Sequence, residues 1–338
     1  MAVRTAEPFR FGPGVHLRVT GDEAAVAHFF REYGWSRGAA DDPVDVDVSV
    51  TLGSRDRLAA NRSSRGGHKT VRWTVALGTP DARPLHAAIA LRGAPASFGL
   101  SLVQGYFVEP LVALACAHKG IVALPSAGIE EDGRALLLMG QSASGKSSVS
   151  ARAVGAGRAL LGDDQVLVET SGVCWPYPRR MRFYPDLRET APATYARLPA
   201  AIRAALAVRR IARTVSRGYV APSLAVSPRA VGQLSPPRPV SLGRIVVIER
   251  AGPGVELAEE PRDASWAVAQ ARDLLADQRA RLRAGADAAW VSALDDASRE
   301  ETRHLAIAFR HCDVRLLRIP GGWTAPQAIE GLAQRLGV

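Results

Sequence analysis

The chain has 338 residues, 47% of them apolar, which is a globular composition and more than one compact core usually takes. Its net charge of +10 is concentrated: residues 176–240 hold twelve Arg and no Lys against Asp186 and Glu189, so the remainder is close to neutral and an anionic partner is indicated, with an Arg-rich solvated face as the plain alternative. The three cysteines, Cys116, Cys174 and Cys312, are odd in number, far apart and form no C-x-x-C pair, which argues against a disulfide framework or a zinc site and fits a reducing, cytoplasmic setting.

No basic start leads into an apolar run, and no apolar stretch reads as long enough to span a bilayer. The expectation is a soluble protein with no signal peptide and no membrane partner.

Residues 1–105 read as a small α+β region. VHLRVTG is a short strand, and DEAAVAHFFREYG has helical spacing, with Asp22 or Glu23 at its start and Gly34 as its stop. VDVDVSVTL alternates with period two, a half-buried strand, and HKTVRWTVAL and LHAAIALRG read the same way. LGSRDRLAANRSSRGGH between them reads as a loop. A helix is expected around YFVEPLVALACAHKG, then two strands, GIVALPSAG and RALLLMG, joined by the acidic turn IEEDG.

A helix follows at KSSVSARAVGAG, then strand, acidic corner and strand in RALLGDDQVLVET. The prolines of GVCWPYPRRMRFYP argue for sheet edges or loops. LPAAIRAALAVRRIAR predicts a helix with a basic face. GRIVVIERAG is a strand, PRDASWAVAQARDLLADQRARLRAG one or two helices, SREETRHLAIAFRHC another, and DVRLLRIPGG a closing strand. This order fits an α/β core.

Gly140, Gly145, Lys146 and Ser147 fit the P-loop pattern G-x-x-x-x-G-K-[ST], with the apolar run Ala135–Met139 before it and a helical run after it. Glycines let the backbone turn tightly against phosphate oxygens. Successive N–H groups and the positive end of the new helix then cradle the anion. Gln141, Ser142, Ala143, Ser144 and Ser148 complete the expected cradle for ATP or another nucleoside triphosphate. Lys146 would reach the β- and γ-phosphates, and Ser147 would ligate Mg²⁺. Lys146 is one of only three Lys in the chain, with Lys69 and Lys119.

Asp163 and Asp164 close the run RALLG. One carboxylate can hold Mg²⁺ while the other accepts a proton from an attacking hydroxyl; a turn-forming Asp-Asp pair is the simpler alternative. Arg179, Arg180 and Arg182 are candidates for substrate or nucleotide phosphates.

GQSASGKSSVSARAVGAGRALLGDD resembles the nucleotide-binding core of the HPr kinase/phosphorylase family, with Asp164 eighteen residues after Lys146 as in that family. The resemblance covers roughly residues 115–170 and extends more loosely over 240–320. It implies a P-loop kinase core of HPr-kinase type over 106–338, behind a smaller N-terminal α+β domain over 1–105 that would help recognise the substrate. It further implies that Asp164 deprotonates a substrate serine, that Ser147 contacts Mg²⁺, and that His118, in AHKGIV, orients Asp164 or meets the transferred phosphoryl group. The family's E-I-R-G-x-G motif, which supplies an Mg²⁺-binding Glu, is absent; Glu189 in PDLRET lies at a comparable distance. The loss of that motif leaves open both the reverse phosphorylase reaction and the usual HPr substrate.

Divergent relatives of this family phosphorylate a serine of a peptide natural-product precursor, and the Arg-rich segment would suit an acidic or phosphorylated peptide or small protein. Three alternatives stand beside this reading. One is a P-loop ATPase or GTPase switch using Glu249 at the end of RIVVIER. Another is a nucleic-acid-associated ATPase, against which the Arg cluster has few aromatics beyond Trp175, Tyr177, Phe183, Tyr184 and Tyr219. The last is a non-catalytic nucleotide-sensing subunit. Base preference and self-association into a homo-oligomer are open.

Overall fold

The computed structural model describes residues 5–53, 63–217, 223–233, 237–252 and 254–338, and Tyr219 lies outside them. The chain forms two compact units, Met1–Ala123 with Arg272–Leu305, and Leu124–Ala271 with Ala306–Val338. The protein is mixed α/β.

The first unit opens with β1 (Thr5–Phe11), β2 (Val15–Gly21), α1 (Glu23–Tyr33), β3 (Val46–Leu52), β4 (Ser63–His68), β5 (Val71–Leu77) and β6 (Leu85–Arg92). These strands make one mixed sheet in the order β1-β2-β3-β6-β5-β4, parallel at β2–β3 and β3–β6. Alternation sets the buried face: Val46, Val48 and Val50 of β3 are fully buried. Tyr33 closes α1 onto that core, edge-on to Phe9 and Phe11. β4 lies within the stretch expected to be a loop; it forms because its backbone pairs with β5, while residues 54–62 of that stretch lie outside the described residues.

α2 (Ala96–Val103), one π-helical turn (Gln104–Val108) and α3 (Glu109–Ala117) run on without a break. The expected domain boundary at 105 therefore falls inside a helix, and the first unit also takes Arg272–Leu305. Contrary to the expectation that no apolar stretch reaches spanning length, Ala96–Ala117 is long and apolar enough to cross a membrane. It is mostly buried inside the protein.

The chain then forms β7 (Ile121–Leu124), β8 (Ala127–Glu131), β9 (Arg134–Met139), α4 (Lys146–Gly155), β10 (Leu160–Gly162), β11 (Val166–Glu169), β12 (Val173–Pro176) and β13 (Met181–Phe183). Three helices follow, α5 (Leu187–Thr190), α6 (Pro192–Arg197) and α7 (Ala200–Val215), then β14 (Leu224–Val226), β15 (Val240–Arg250) and β16 (Ala258–Arg262). The long helices α8 (Ala264–Ala284) and α9 (Ala288–Ala308), β17 (Asp313–Ile319) and α10 (Ala325–Leu336) complete the chain. The two unit boundaries near the C-terminus fall within α8 and α9.

The sheet of the second unit runs β10-β8-β9-β15-β12-β11, with β15 parallel to both β9 and β17. β9 is buried along almost its whole length, as a central strand covered on both faces must be. Leu136, Leu138, Val246, Ile248, Leu317 and Ile319 share one cluster with Val149 and Ala153 of α4 and with Ile329 and Leu332 of α10. Sheet and helices thereby fix the start of α4. β13 leaves the large sheet to pair with β14.

Candidate functional site

β9 ends at Met139, and the chain turns through 140–145 into α4, the strand–loop–helix order the motif requires. Two glycines make the turn. Gly140 has φ +145°, and a Cβ there would stand 2.5 Å from the Ile248 carbonyl oxygen of β15. Gly145 has φ +104°, and its Cβ would stand 2.9 Å from Ile329 Cδ1 of α10. Ala143 also sits in the left-handed region, at φ +65°, a conformation that side-chain-bearing residues rarely adopt.

Lys146 folds back over this loop. Its Nζ donates to the carbonyls of Gly140 at 2.6 Å and Gln141 at 2.9 Å and to Ser144 Oγ at 3.3 Å. Ser144 is buried, whereas Gln141, Ser142 and Ala143 are exposed. Ser147 and Ser148 lie in the first turn of α4; the Ser148 N–H donates to the Gly145 carbonyl at 3.1 Å, and the helix N–H groups ahead of it have no intrahelical acceptor. Burial lowers the affinity of Lys146 for its proton, and the negative charges of Asp164 and then Asp163 oppose that shift.

The acidic corner follows β10. A Cβ on Gly162 would lie 1.9 Å from the Gln165 carbonyl oxygen, so this tight corner accommodates only glycine. Asp163 is buried, 4% exposed, and its Oδ2 accepts the Arg182 N–H at 2.9 Å. Its Oδ1 is buried with no hydrogen-bond partner. The Asp163 carboxyl is pushed up to about 7, first by burial and then by the Asp164 charge. The Arg182 N–H, the Ser147 hydroxyl and Arg179 act in the opposite direction. Asp164 is more open, and its Oδ2 lies 3.2 Å from Arg179 Nη1.

Tyr184, just past β13, is 43% exposed and feels the same pair: the partial burial of its phenol raises it, and Asp164 and then Asp163 add to the shift. Lys146, Ser147, Asp163, Asp164, Arg179 and Tyr184 thus share one electrostatic neighbourhood at the ends of β9 and β10. In the sequence Tyr184 reads only as an aromatic near the Arg cluster. Its one local signal is its position directly after Arg182 and Phe183, where β13 passes the corner.

The remaining expected residues are Glu189, His118, Arg179, Arg180 and Arg182. Glu189 lies on α5 and pairs with Arg210 of α7 at 2.9 Å. Among the described residues no group of three or more His, Cys, Asp or Glu is arranged to hold a metal, so Glu189 does not complete a carboxylate cluster with the corner. His118 belongs to the first unit, at the end of α3, where Arg83 Nη2 lies 2.8 Å from its Nδ1. Partial burial, and then Arg83, lower its affinity for a proton. Arg182 serves the corner through its backbone, and Arg179 holds Asp164 itself. Arg180 is half-buried in the loop between them.

The corner fits a hard divalent cation on one count: Asp163 Oδ1 is a buried carboxyl oxygen without a hydrogen-bond partner, with the Ser147 hydroxyl acting on the same group. No family model matches the chain, and no curated protein matches it.

Proposed function

We propose that the protein is an HPr-kinase-like P-loop phosphotransferase that moves the γ-phosphoryl group of ATP, or another nucleoside triphosphate, to a serine hydroxyl of a peptide or small protein. One observation carries this reading: a glycine-turned loop with its lysine and two adjacent carboxylates meet in one neighbourhood, one carboxylate buried and one open. A structural turn needs no such pairing of environments; an acid–base and metal site does.

In this reading the loop N–H groups and the start of α4 bind the phosphates. Lys146 exchanges its three loop acceptors for phosphate oxygens. Asp163 and Ser147 would hold Mg²⁺, which supplies positive charge against the phosphates. Asp164, released by Arg179, accepts the proton of the acceptor hydroxyl. The acceptor oxygen forms a bond to the γ-phosphorus as the bond to the β–γ bridging oxygen breaks, and the nucleoside diphosphate departs with that electron pair. Arg179, freed from Asp164, is placed to meet the charge on the moving group. The Arg-rich 176–240 segment supports an acidic or phosphorylated acceptor. The three cysteines are free thiols, which supports a cytoplasmic setting.

The test is incubation with γ-labelled ATP, Mg²⁺ and candidate peptides encoded beside this gene, with the modified residue located by mass. A phosphoserine that requires Asp164 supports the proposal. Inorganic phosphate released at the same rate with and without peptide would instead favour a hydrolysing switch, with Glu249 at the end of β15 as its acid.

A further inference from the structure

The acid proposed as the base is already engaged. Asp164 Oδ2 lies 3.2 Å from Arg179 Nη1, and the pair is only partly in solvent, the arginine side chain 16% exposed and the aspartate 37%. A serine hydroxyl is neutral. In taking Asp164 it offers Arg179 no charge in return, and a guanidinium mostly out of water loses that carboxylate. The other carboxylate of the corner cannot replace it. Asp163 is committed to the Arg182 N–H and, in the proposed mechanism, to Mg²⁺. Positive charge is otherwise in surplus here: Arg179, Arg180 and Arg182 lie within four positions, and the next acidic residue along the chain is Asp186. Met181 and Phe183 of β13 belong to the core, so alternation turns Arg182, and Tyr184 directly after the strand, to the opposite and more open side. Beyond its partial burial, the Tyr184 phenol feels Asp164, Asp163 and Arg182 together, which places the Arg182 charge on the side where Asp164 opens.

We propose that Arg179 sets acceptor specificity by exchange: it gives up Asp164 to a second oxyanion, a carboxylate or phosphate that the acceptor carries beside its serine. This rests on the phosphotransferase reading above and narrows the acceptor that the site serves. The exchange keeps the guanidinium paired while it frees the base. Arginine suits the task, because its planar fork takes a carboxylate or phosphate through two parallel N–H bonds. Its five donors also let it hold the acceptor's oxyanion and still reach the moving phosphoryl group. Arg182, on the open side, offers the same oxyanion a second cation. The triphosphate is the competing source of negative charge, but it has cations of its own in Lys146 and Mg²⁺, and Lys146 is already poised on the loop. A neutral acceptor reaches Asp164 only by breaking the pair, so a serine with no neighbouring acid is selected against at the site itself.

The probes are short blocked peptides of Ala and Gly with one serine, carrying Glu, Gln or phosphoserine beside it. Binding to the full-length protein is read by calorimetry with Mg²⁺ and a non-hydrolysable ATP analogue, and transfer is read with γ-labelled ATP. The Glu peptide should bind and be phosphorylated about tenfold better than its Gln isostere, or more. Arg179→Gln should bring that ratio close to one. Arg179→Lys, which keeps the charge without the fork, should retain only part of it. A merely structural role for Arg179 would change absolute rates and leave the ratio alone. Circular dichroism checks that the variants fold. Phosphoserine in place of Glu identifies the oxyanion: tighter binding than Glu marks a phosphate-bearing acceptor, and equal or weaker binding a carboxylate. Equal binding of the Glu and Gln peptides by the parent, binding of neither, or an unchanged ratio in whichever variant folds overturns the proposal. Transfer to Glu and Gln peptides alike removes this proposal and leaves the phosphotransferase reading intact. Glu-selective binding with no transfer supports the oxyanion site and removes the phosphotransferase reading instead.

Discussion

Arg179 Nη1 stands 3.2 Å from Asp164 Oδ2, so the more open carboxylate of the acidic corner is already held by a cation. The same guanidinium favours the charged form of buried Asp163. One arginine therefore acts on both acids, and under the proposed mechanism an incoming hydroxyl would have to displace it from Asp164. Asp164→Asn keeps the side-chain shape and removes the basicity. Phosphoryl transfer should fall by about 10²–10⁴-fold, the usual worth of a positioned base. Nucleotide affinity, measured by calorimetry, should stay within about threefold. Transfer at the parent rate would place the base elsewhere.

Lys146 makes its three hydrogen bonds to the loop it is expected to serve. Lys146→Ala removes a charged donor to phosphate, an interaction of about 1.5–3 kcal/mol, so triphosphate binding should weaken by about 10- to 100-fold and turnover should fall with it. The comparison that checks this is calorimetry with ATP against adenosine. The loss should appear only with ATP, because adenosine offers no phosphate to the lysine.

What the sequence made legible was local. α1, β2, β3, β5 and β6 follow from periodicity, and the loop and acidic corner follow from contiguous residues. α2 was not visible because Ala96–Val103 is apolar with little contrast between faces, so it carries no strong helical period. β4 reads as Ser-Ser-Arg-Gly-Gly-His and becomes a strand only through β5. α10 does carry a local start signal in the sequence, the capping box from Thr324 to Gln327. The contacts of Asp163 with Arg182 and of Asp164 with Arg179 reach across β11 and β12 to β13 and the segment before it, which spacing alone cannot place. Distance along the chain suggested Glu189 as a metal ligand, but the short helix α5 presents it to Arg210 instead.

Gly145 combines φ +104° with a side chain of α10 where its Cβ would go. Gly145→Ala should destabilise the protein by about 1–3 kcal/mol and displace the start of α4. Gly34 has φ −59° and open space around it, so Gly34→Ala should lie within about 1 kcal/mol of the parent. Urea midpoints of the two variants test the contrast, and equal losses would remove the steric argument for Gly145.

Asp163 gives stability a direction with pH. Its carboxyl is raised from 3.8 to about 7 by burial and the neighbouring charge, so between those values the folded protein keeps a proton that the unfolded chain has lost. Stability from this group is therefore greatest below the unfolded value and declines as pH rises toward the folded one. Asp163→Asn retains an oxygen for the Arg182 N–H and has no proton to lose. Relative to the parent it should gain stability between pH 5 and pH 8, read from urea midpoints at each pH. An unchanged difference would mean that Asp163 is ionised throughout that range.

In the first unit Arg279 of α8 and Glu301 of α9 form an ion pair in which Glu301 is fully buried and Arg279 is 4% exposed. Burial raises the Glu301 carboxyl more than Arg279 lowers it, which marks desolvation as the larger effect. Removing one partner strands the other: Glu301→Ala should cost about 3–5 kcal/mol. Replacing both, Arg279→Met with Glu301→Leu, returns apolar volume to the site and should recover most of that loss. The measurement is a double-mutant cycle on urea midpoints. If the double variant is as unstable as the sum of the singles, the two side chains do not act as a pair, and the join between α8 and α9 depends instead on aliphatic contacts such as Leu275, Leu282 and Leu294, all buried.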